Sequence, residues 1–292
     1  MFKSCLVCTD FSDGLHRLVN FVPDFAKAGI TKIVFFNSVP LWEEGEVPRI
    51  NEEKIAEVKE RFNSAIKDVP EGVEVAVEVL SGKPLDTIPR VLKTHPVDVI
   101  LTGTPMKSFL QEKCFGSTSV GLGKLTDIPL TIIRPQLITT YTTEELSLRC
   151  QHLWQYLLIP YKDGKAARYL IEQIKQQVEK YPNSSLKKCM LISVIEEGGR
   201  TSMLNEHRIS EAKDKLTSAK AELEALGLEV NTEIRQGNPI QEIMDAALEF
   251  DISAIAIATD YRNTLFEWTA PSFANDLMRR SWFPVVFYSP KK

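Results

Sequence analysis

The residues best equipped for chemistry in this chain are small and polar. Gly116-Ser117-Thr118-Ser119 sets a glycine before three hydroxyl residues at the expected start of a helix. Free backbone N–H groups, side-chain hydroxyls and the positive end of a helix dipole are the components of a phosphate cradle. The same residues would also serve as a helix N-cap with no ligand. A second polar group, Thr9-Asp10-Phe11-Ser12, directly follows a short apolar run, and Gly103-Thr104-Pro105-Met106 follows another. Asp10 is either a cap residue, since Asp-x-Ser-Asp suits a helix start, or a ligand contact.

Other chemistries fit poorly. Cys5 and Cys8 have the C-x-x-C spacing but fall on an expected strand, where residues three apart face opposite sides. Core packing is the better account of both. His16, His95, His152 and His207 show no paired spacing and no cysteine or carboxylate partners of a metal site. Gly123-Lys124 continues into Leu125 where a Walker loop needs Ser or Thr, and no G-x-S-x-G elbow is present. With no general base on a defined water path, and no carboxylate pair placed for Mg²⁺, fast hydrolysis is not expected. Slow turnover is the most that remains open.

The elements that must position these residues come from an internal repeat. Residues 81–104 and 236–259 align at an offset of 155, matching Gly82 with Gly237, Pro84 with Pro239 and Ile88 with Ile243. The same offset joins Ser38 to Ser193, Val39 to Val194 and Ser117 to Ser272, while the opening strands match at 152. Two copies of one domain follow, over 1–136 and 153–292, with a polar, Thr-rich linker over 137–152. In the first copy, apolar runs predict strands at 5–9, 33–37, 73–79, 97–102 and 130–134. Helices are expected at 14–27, 51–68, 85–93 and 117–125. Gly82 and Pro84 would shape the turn before the third of these. Strands alternating with helices predict an α/β fold, a five-stranded parallel sheet with helices on both faces, present twice. In such a sheet, ligands bind beyond the carboxyl ends of the strands where strand order reverses, which points to the segments after the first and fourth strands.

Composition bounds the function. Lys plus Arg at 35 against Asp plus Glu at 39 gives a net charge of -4, which argues against nucleic acid or an anionic membrane as partner. No apolar run approaches a membrane span, and Asp10 arrives too soon for a signal-peptide core. Five scattered cysteines do not make a secreted disulfide framework, so the cytoplasm is expected.

The chain resembles the universal stress proteins in their tandem two-domain form. The likeness rests on LVCTDFSDG at 6–14, FFNSVP at 35–40, SGKP at 81–84 and the long loop before the last strand. Nucleotide-binding members of that family carry G-x2-G-x9-G-(S/T) in this loop. Here Gly103, Met106 and Gly116-Ser117 keep the spacing, with Met106 in place of the second glycine. The resemblance implies an adenine nucleotide alpha hydrolase-like strand order of 3-2-1-4-5 and a site for ATP, AMP or ADP, with Mg²⁺ accompanying ATP. It places Thr9 and Asp10 at the ribose or adenine, Ser38 and Val39 at the adenine, and Gly103, Met106, Gly116, Ser117, Thr118 and Ser119 at the phosphates. It also implies pairing of like domains through their last strands, Leu130–Ile133 and Val285–Phe287, which the two copies of one chain can satisfy internally, with leftover edges favouring a homodimer of tandem chains.

The second copy departs from this pattern. Ala258, Tyr261 and Pro271 stand at the three glycine positions, and Lys162 stands at the position of Asp10, with Asp163 one step later. Proline has no N–H to offer a phosphate, so the second site is expected to be degenerate. Trp268 and Phe266 would fill it or offer an aromatic surface to a partner. The alternative for the whole chain is a stress protein that binds no nucleotide and acts as an interaction scaffold for an unknown protein partner.

Overall fold

The computed structural model describes the chain except residues 12–13, 43–48, 104–120, 124, 197–201, 260–272 and 290–292. Two compact units divide it between Gln151 and His152. The first unit contains five strands: β1 (Ser4–Cys8), β2 (Lys32–Val39), β3 (Glu74–Ser81), β4 (Val99–Gly103) and β5 (Leu130–Ile133). They are ordered 3-2-1-4-5 and pair in parallel, from Ser4 opposite Lys32 to Gly103 opposite Ile133. The second unit has β6 (Tyr156–Pro160), β7 (Lys188–Ile195), β8 (Glu229–Gln236), β9 (Ala254–Ala258) and β10 (Val285–Tyr288). Its order, 8-7-6-9-10, repeats the first arrangement, again in parallel. The expected α/β class and strand order hold in both units.

Burial explains which strands read clearly. Central strands are mostly apolar and buried, as Val99, Ile100 and Leu101 are in β4, because helices cover both faces of a parallel sheet. β3 has its other side open, and only Val79 among its valines is fully buried. That position tolerates Glu74 and Glu78 between its valines.

The first expected helix is broken. A 3-10 segment, Leu15–Phe21, leads into a short α-helix, Val22–Lys27. Pro23 has no N–H to donate back to Val19, so one continuous α-helix over 14–27 cannot form. The second expected helix, 51–68, divides as well, into Glu52–Arg61 and a 3-10 turn at Asn63–Ile66. Asn51 caps the former by accepting from the Lys54 amide at 2.9 Å. The third, Pro84–Thr94, follows Gly82, whose φ of 134° is matched by 143° at Gly237 before Pro239–Glu249. Only glycine holds that conformation without strain, so one turn recurs at the 155 spacing. Of the fourth helix, residues 117–120 lie outside the described part, and 121–123 are helical. A side chain at Gly121 would run into Leu85, which accounts for one of the two glycines there.

The polar segment that joins the copies is not an extended linker. It folds as helices Pro135–Thr140 and Thr143–His152, with Ile138, Leu146 and Cys150 buried. Arg17 fastens it by donating to the carbonyls of Ile138 and of Tyr141, the latter at 3.0 Å. Asp24 accepts from Ser147 and from Gln151, both at 2.8 Å.

Candidate functional site

In the first unit the strand order reverses between β1 and β4, so the crevice lies at the carboxyl ends of these two strands. Asp10 stands two residues past β1, with an exposed side chain, and Gly103 ends β4. Thr9 is buried and held on three sides. Its amide donates to the Phe36 carbonyl at 3.1 Å, its carbonyl accepts from Asn37 Nδ2 at 2.7 Å, and its hydroxyl accepts from the Phe11 amide at 3.1 Å. These bonds fix the backbone from which Asp10 projects. Phe11 turns the chain through the left-handed region, at φ 64°. Its ring packs on Phe62 at 4.8 Å and His16 at 5.7 Å, and the Arg61 guanidinium lies 3.8 Å from its centroid.

Ser38 and Val39 end β2 one strand away. The Ser38 hydroxyl donates to the Gly82 carbonyl at 2.5 Å and accepts from Thr87 Oγ1 at 3.4 Å. Val39 is buried, and its carbonyl accepts from the Gly82 amide at 2.9 Å. Both residues therefore anchor the turn after β3. Met106, Gly116, Ser117, Thr118 and Ser119 lie outside the described residues, as do Tyr261, Phe266, Trp268, Pro271 and Ser272 of the second copy.

The second unit carries a cavity of about 500 Å³. Its described lining comes from the ends of β6 and β7 and from the long helix Ser202–Glu224. Tyr161, Lys162 and Asp163 supply the β6 side, and Asp163 at φ 27° repeats the left-handed step of Phe11 at the 152 spacing. Two acids in the wall are already neutralised. Asp163 takes Arg168 Nε at 3.0 Å and Lys215 Nζ at 3.7 Å, and Glu211 takes Lys215 Nζ at 2.6 Å. The hydrogen bond from Arg168 is the main reason the Asp163 carboxyl sits below its ordinary range, and burial pushes the Tyr161 phenol up. Sequence reading named Lys162 and Asp163 but passed over Arg208, Glu211 and Lys215. Their spacing of three and four residues on one helix face was the available signal, and it resembles any solvated face.

The C-x-x-C pair lies in the packed interior of the first unit. Cys5 and Cys8 are free and buried, and burial raises the Cys5 thiol far above its ordinary value. Cys189 is likewise pushed up to about 12, so these thiols stay protonated and inert. Among the described residues no group of three or more His, Cys, Asp or Glu side chains is arranged to hold a metal ion. Nor is any described helix long and apolar enough to cross a membrane.

An open parallel sheet with its crevice at a strand-order reversal, built twice from one repeat, defines a tandem doubly wound α/β protein. The universal stress protein family model matches residues 1–134 and 155–289, and the chain belongs to that family. A universal stress protein from Archaeoglobus fulgidus DSM 4304 has a similar structure, with a TM-score of 0.60 at 22% identity, covering 98% of this chain and 96% of its own. A functionally unknown protein from Pseudomonas aeruginosa PAO1 has the same TM-score, 0.60, at 12% identity, covering 99% of this chain and 93% of its own. No curated protein matches the chain.

Proposed function

We propose that this stress protein binds one adenine nucleotide, ATP, ADP or AMP, in its first unit and none in its second. The observation that carries this reading is the placement of Asp10 and Gly103 together at the ends of adjacent strands, where the sheet order reverses. An exposed carboxylate suits ribose hydroxyls, and a residue without a side chain permits close approach of a phosphate. The described residues thus fit an adenosine ligand. The retained Gly116-Ser117-Thr118-Ser119 stretch of the sequence supplies amides and hydroxyls for its phosphates. Bound Mg²⁺ would accompany ATP by neutralising phosphate charge. With no general base assigned, the nucleotide acts as a signal read by a partner or by assembly, turned over slowly at most. The protein works in the cytoplasm, away from nucleic acid and membranes.

Calorimetric titration of ATP, ADP and AMP into nucleotide-free protein tests the reading. One site per chain is expected, weakened about tenfold or more in Asp10→Ala by loss of charged hydrogen bonds. No heat at millimolar nucleotide would overturn it in favour of an interaction scaffold, and two sites per chain would contradict the assignment of the second unit.

A further inference from the structure

β3 is the outer strand of the first unit. Among the described residues it pairs with β2 alone, so one side of its backbone has no strand beside it. Hydrogen bonding shows which residues face that side. The Glu74 amide donates to the Thr31 carbonyl at 2.8 Å, and the Gly82 amide to the Val39 carbonyl at 2.9 Å. Even-numbered residues of β3 therefore turn their amides and carbonyls to β2, and Val75, Val77 and Val79 turn theirs outward. Such an edge is a template for another strand, and proteins commonly guard it with charge, proline or a bulge.

The two units differ in that guard. In β8, the outer strand of the second unit, only Val230 and Ile234 are apolar, and Glu229, Asn231, Thr232 and Gln236 are exposed. The Glu229 amide donates to the Lys187 carbonyl at 3.0 Å and the Gly237 amide to the Ile195 carbonyl at 3.1 Å, so Thr232 is among the outward residues there. β3 instead carries Val75, Ala76, Val77, Val79 and Leu80, all but Val79 partly exposed, and contains no lysine, arginine or proline. Its two carboxylates are engaged within the chain. Glu74 pairs with Lys32 at 3.1 Å, and Glu78 meets His95 Nε2 at 2.9 Å. What remains is an apolar edge with little charge to turn a strand away.

A second copy of the same strand fits this edge. Antiparallel pairing about a twofold axis at Val77 sets Val77 against its own copy and Val75 against Val79 on either side. The outward amides and carbonyls of these valines then exchange about six hydrogen bonds between chains. On the other face the same register places Glu78 against Ala76 and Glu74 against Leu80, so no two carboxylates stand opposite. An axis at Ala76 or Glu78 would oppose glutamates and present the wrong backbone groups. An axis at Val75 or Val79 would shorten the overlap.

We propose that β3 is a self-association edge through which two whole chains pair, antiparallel, about Val77. The proposal stands on strand geometry and does not depend on nucleotide binding.

Sedimentation velocity of the full-length protein tests it, with a dimer expected at micromolar concentration. Val77→Pro removes an outward amide and spares the β2–β3 ladder, and it should weaken the dimer about tenfold or more. Val77→Lys places a guarding charge at the axis and should act alike, which keeps the test open should the proline variant fail to fold. Thr232→Pro, at an outward position of β8, should leave the dimer unchanged, as should Asp10→Ala. Val77→Cys should cross-link to itself on mild oxidation, because paired backbones at the axis stand about 5.5 Å apart. That variant is made in a Cys114→Ser chain, whose described cysteines are all buried. A monomer at every concentration overturns the proposal, as does a dimer that survives both Val77→Pro and Val77→Lys. Dissociation by Thr232→Pro would assign the contact to β8 and overturn it equally.

Discussion

His16 shows how one side chain couples the aromatic cluster beside Asp10 to solution conditions. It is held below its ordinary 6.5, first by burial and then by the Arg61 and Arg17 guanidinium groups, with Asp10 opposing them. Its buried Nδ1 has no hydrogen-bond partner among the described residues. Above 6.5 the folded and unfolded chains both carry it neutral, and it leaves stability unchanged. As pH falls below 6.5 the unfolded chain takes up the proton first, so stability drops until the lower folded-state value has also been passed. His16→Gln should therefore lose less melting temperature than the parent between about pH 7 and about pH 5. Parallel melting curves across that range would refute the assignment.

Two sets of contacts matter at the scale of elements. The Asp98 carboxylate accepts from the Lys3 amide, the Ser4 amide and the Ser4 hydroxyl at 3.0, 3.0 and 2.9 Å, clamping the start of β1 to the start of β4. In the second unit Ser253 performs the same service for Tyr156, accepting from its amide at 3.0 Å and donating to its carbonyl at 2.9 Å. Asp98→Ala leaves partly buried amides unpaired and should destabilise the first unit by about 3 kcal/mol, read from urea unfolding. Asp98→Ser, borrowing the solution of the second unit, should recover part of that loss. The second set is the grip of Arg17 on the joining helices. Arg17→Ala removes charged hydrogen bonds that contribute about 1.5–3 kcal/mol in total. Amide exchange over 135–152 should quicken while exchange in the second unit stays as it was. Unchanged exchange over 135–152 would mean that the buried Ile138, Leu146 and Cys150 hold the segment without it.

For the whole molecule, one repeat has kept its fold and divided its surface chemistry. In the first copy an exposed carboxylate follows β1, and in the second a lysine beside a charged cavity follows β6. The last strands, Leu130–Ile133 and Val285–Tyr288, leave the outer edges of the sheet order, β3 and β8, as the open ones, and we propose that whole chains associate as a dimer through such leftover edges. Light scattering should give twice the chain mass across micromolar concentrations, and a monomer mass throughout that range would sink the proposal.

Much of this architecture was legible in local patterns. Apolar runs located all five strands of the first copy, and the 155-residue register announced the second, because periodicity and repetition are properties of neighbouring residues. Helix continuity was less legible: Pro23 broke the first helix, and a signal present in the sequence was outweighed by the apolar pattern around it. What only the tertiary structure decided were contacts between distant residues. Arg17 meets carbonyls more than 120 positions away and turns a polar linker into packed helices. Ser38 reaches across 44 positions to Gly82, while Ser193, identical in type and matched in register, makes no side-chain hydrogen bond among the described residues. A hydroxyl or a lysine acquires its role from what the fold brings within hydrogen-bonding distance. Sequence spacing carries no record of that distance once a chain has passed through several strands and helices.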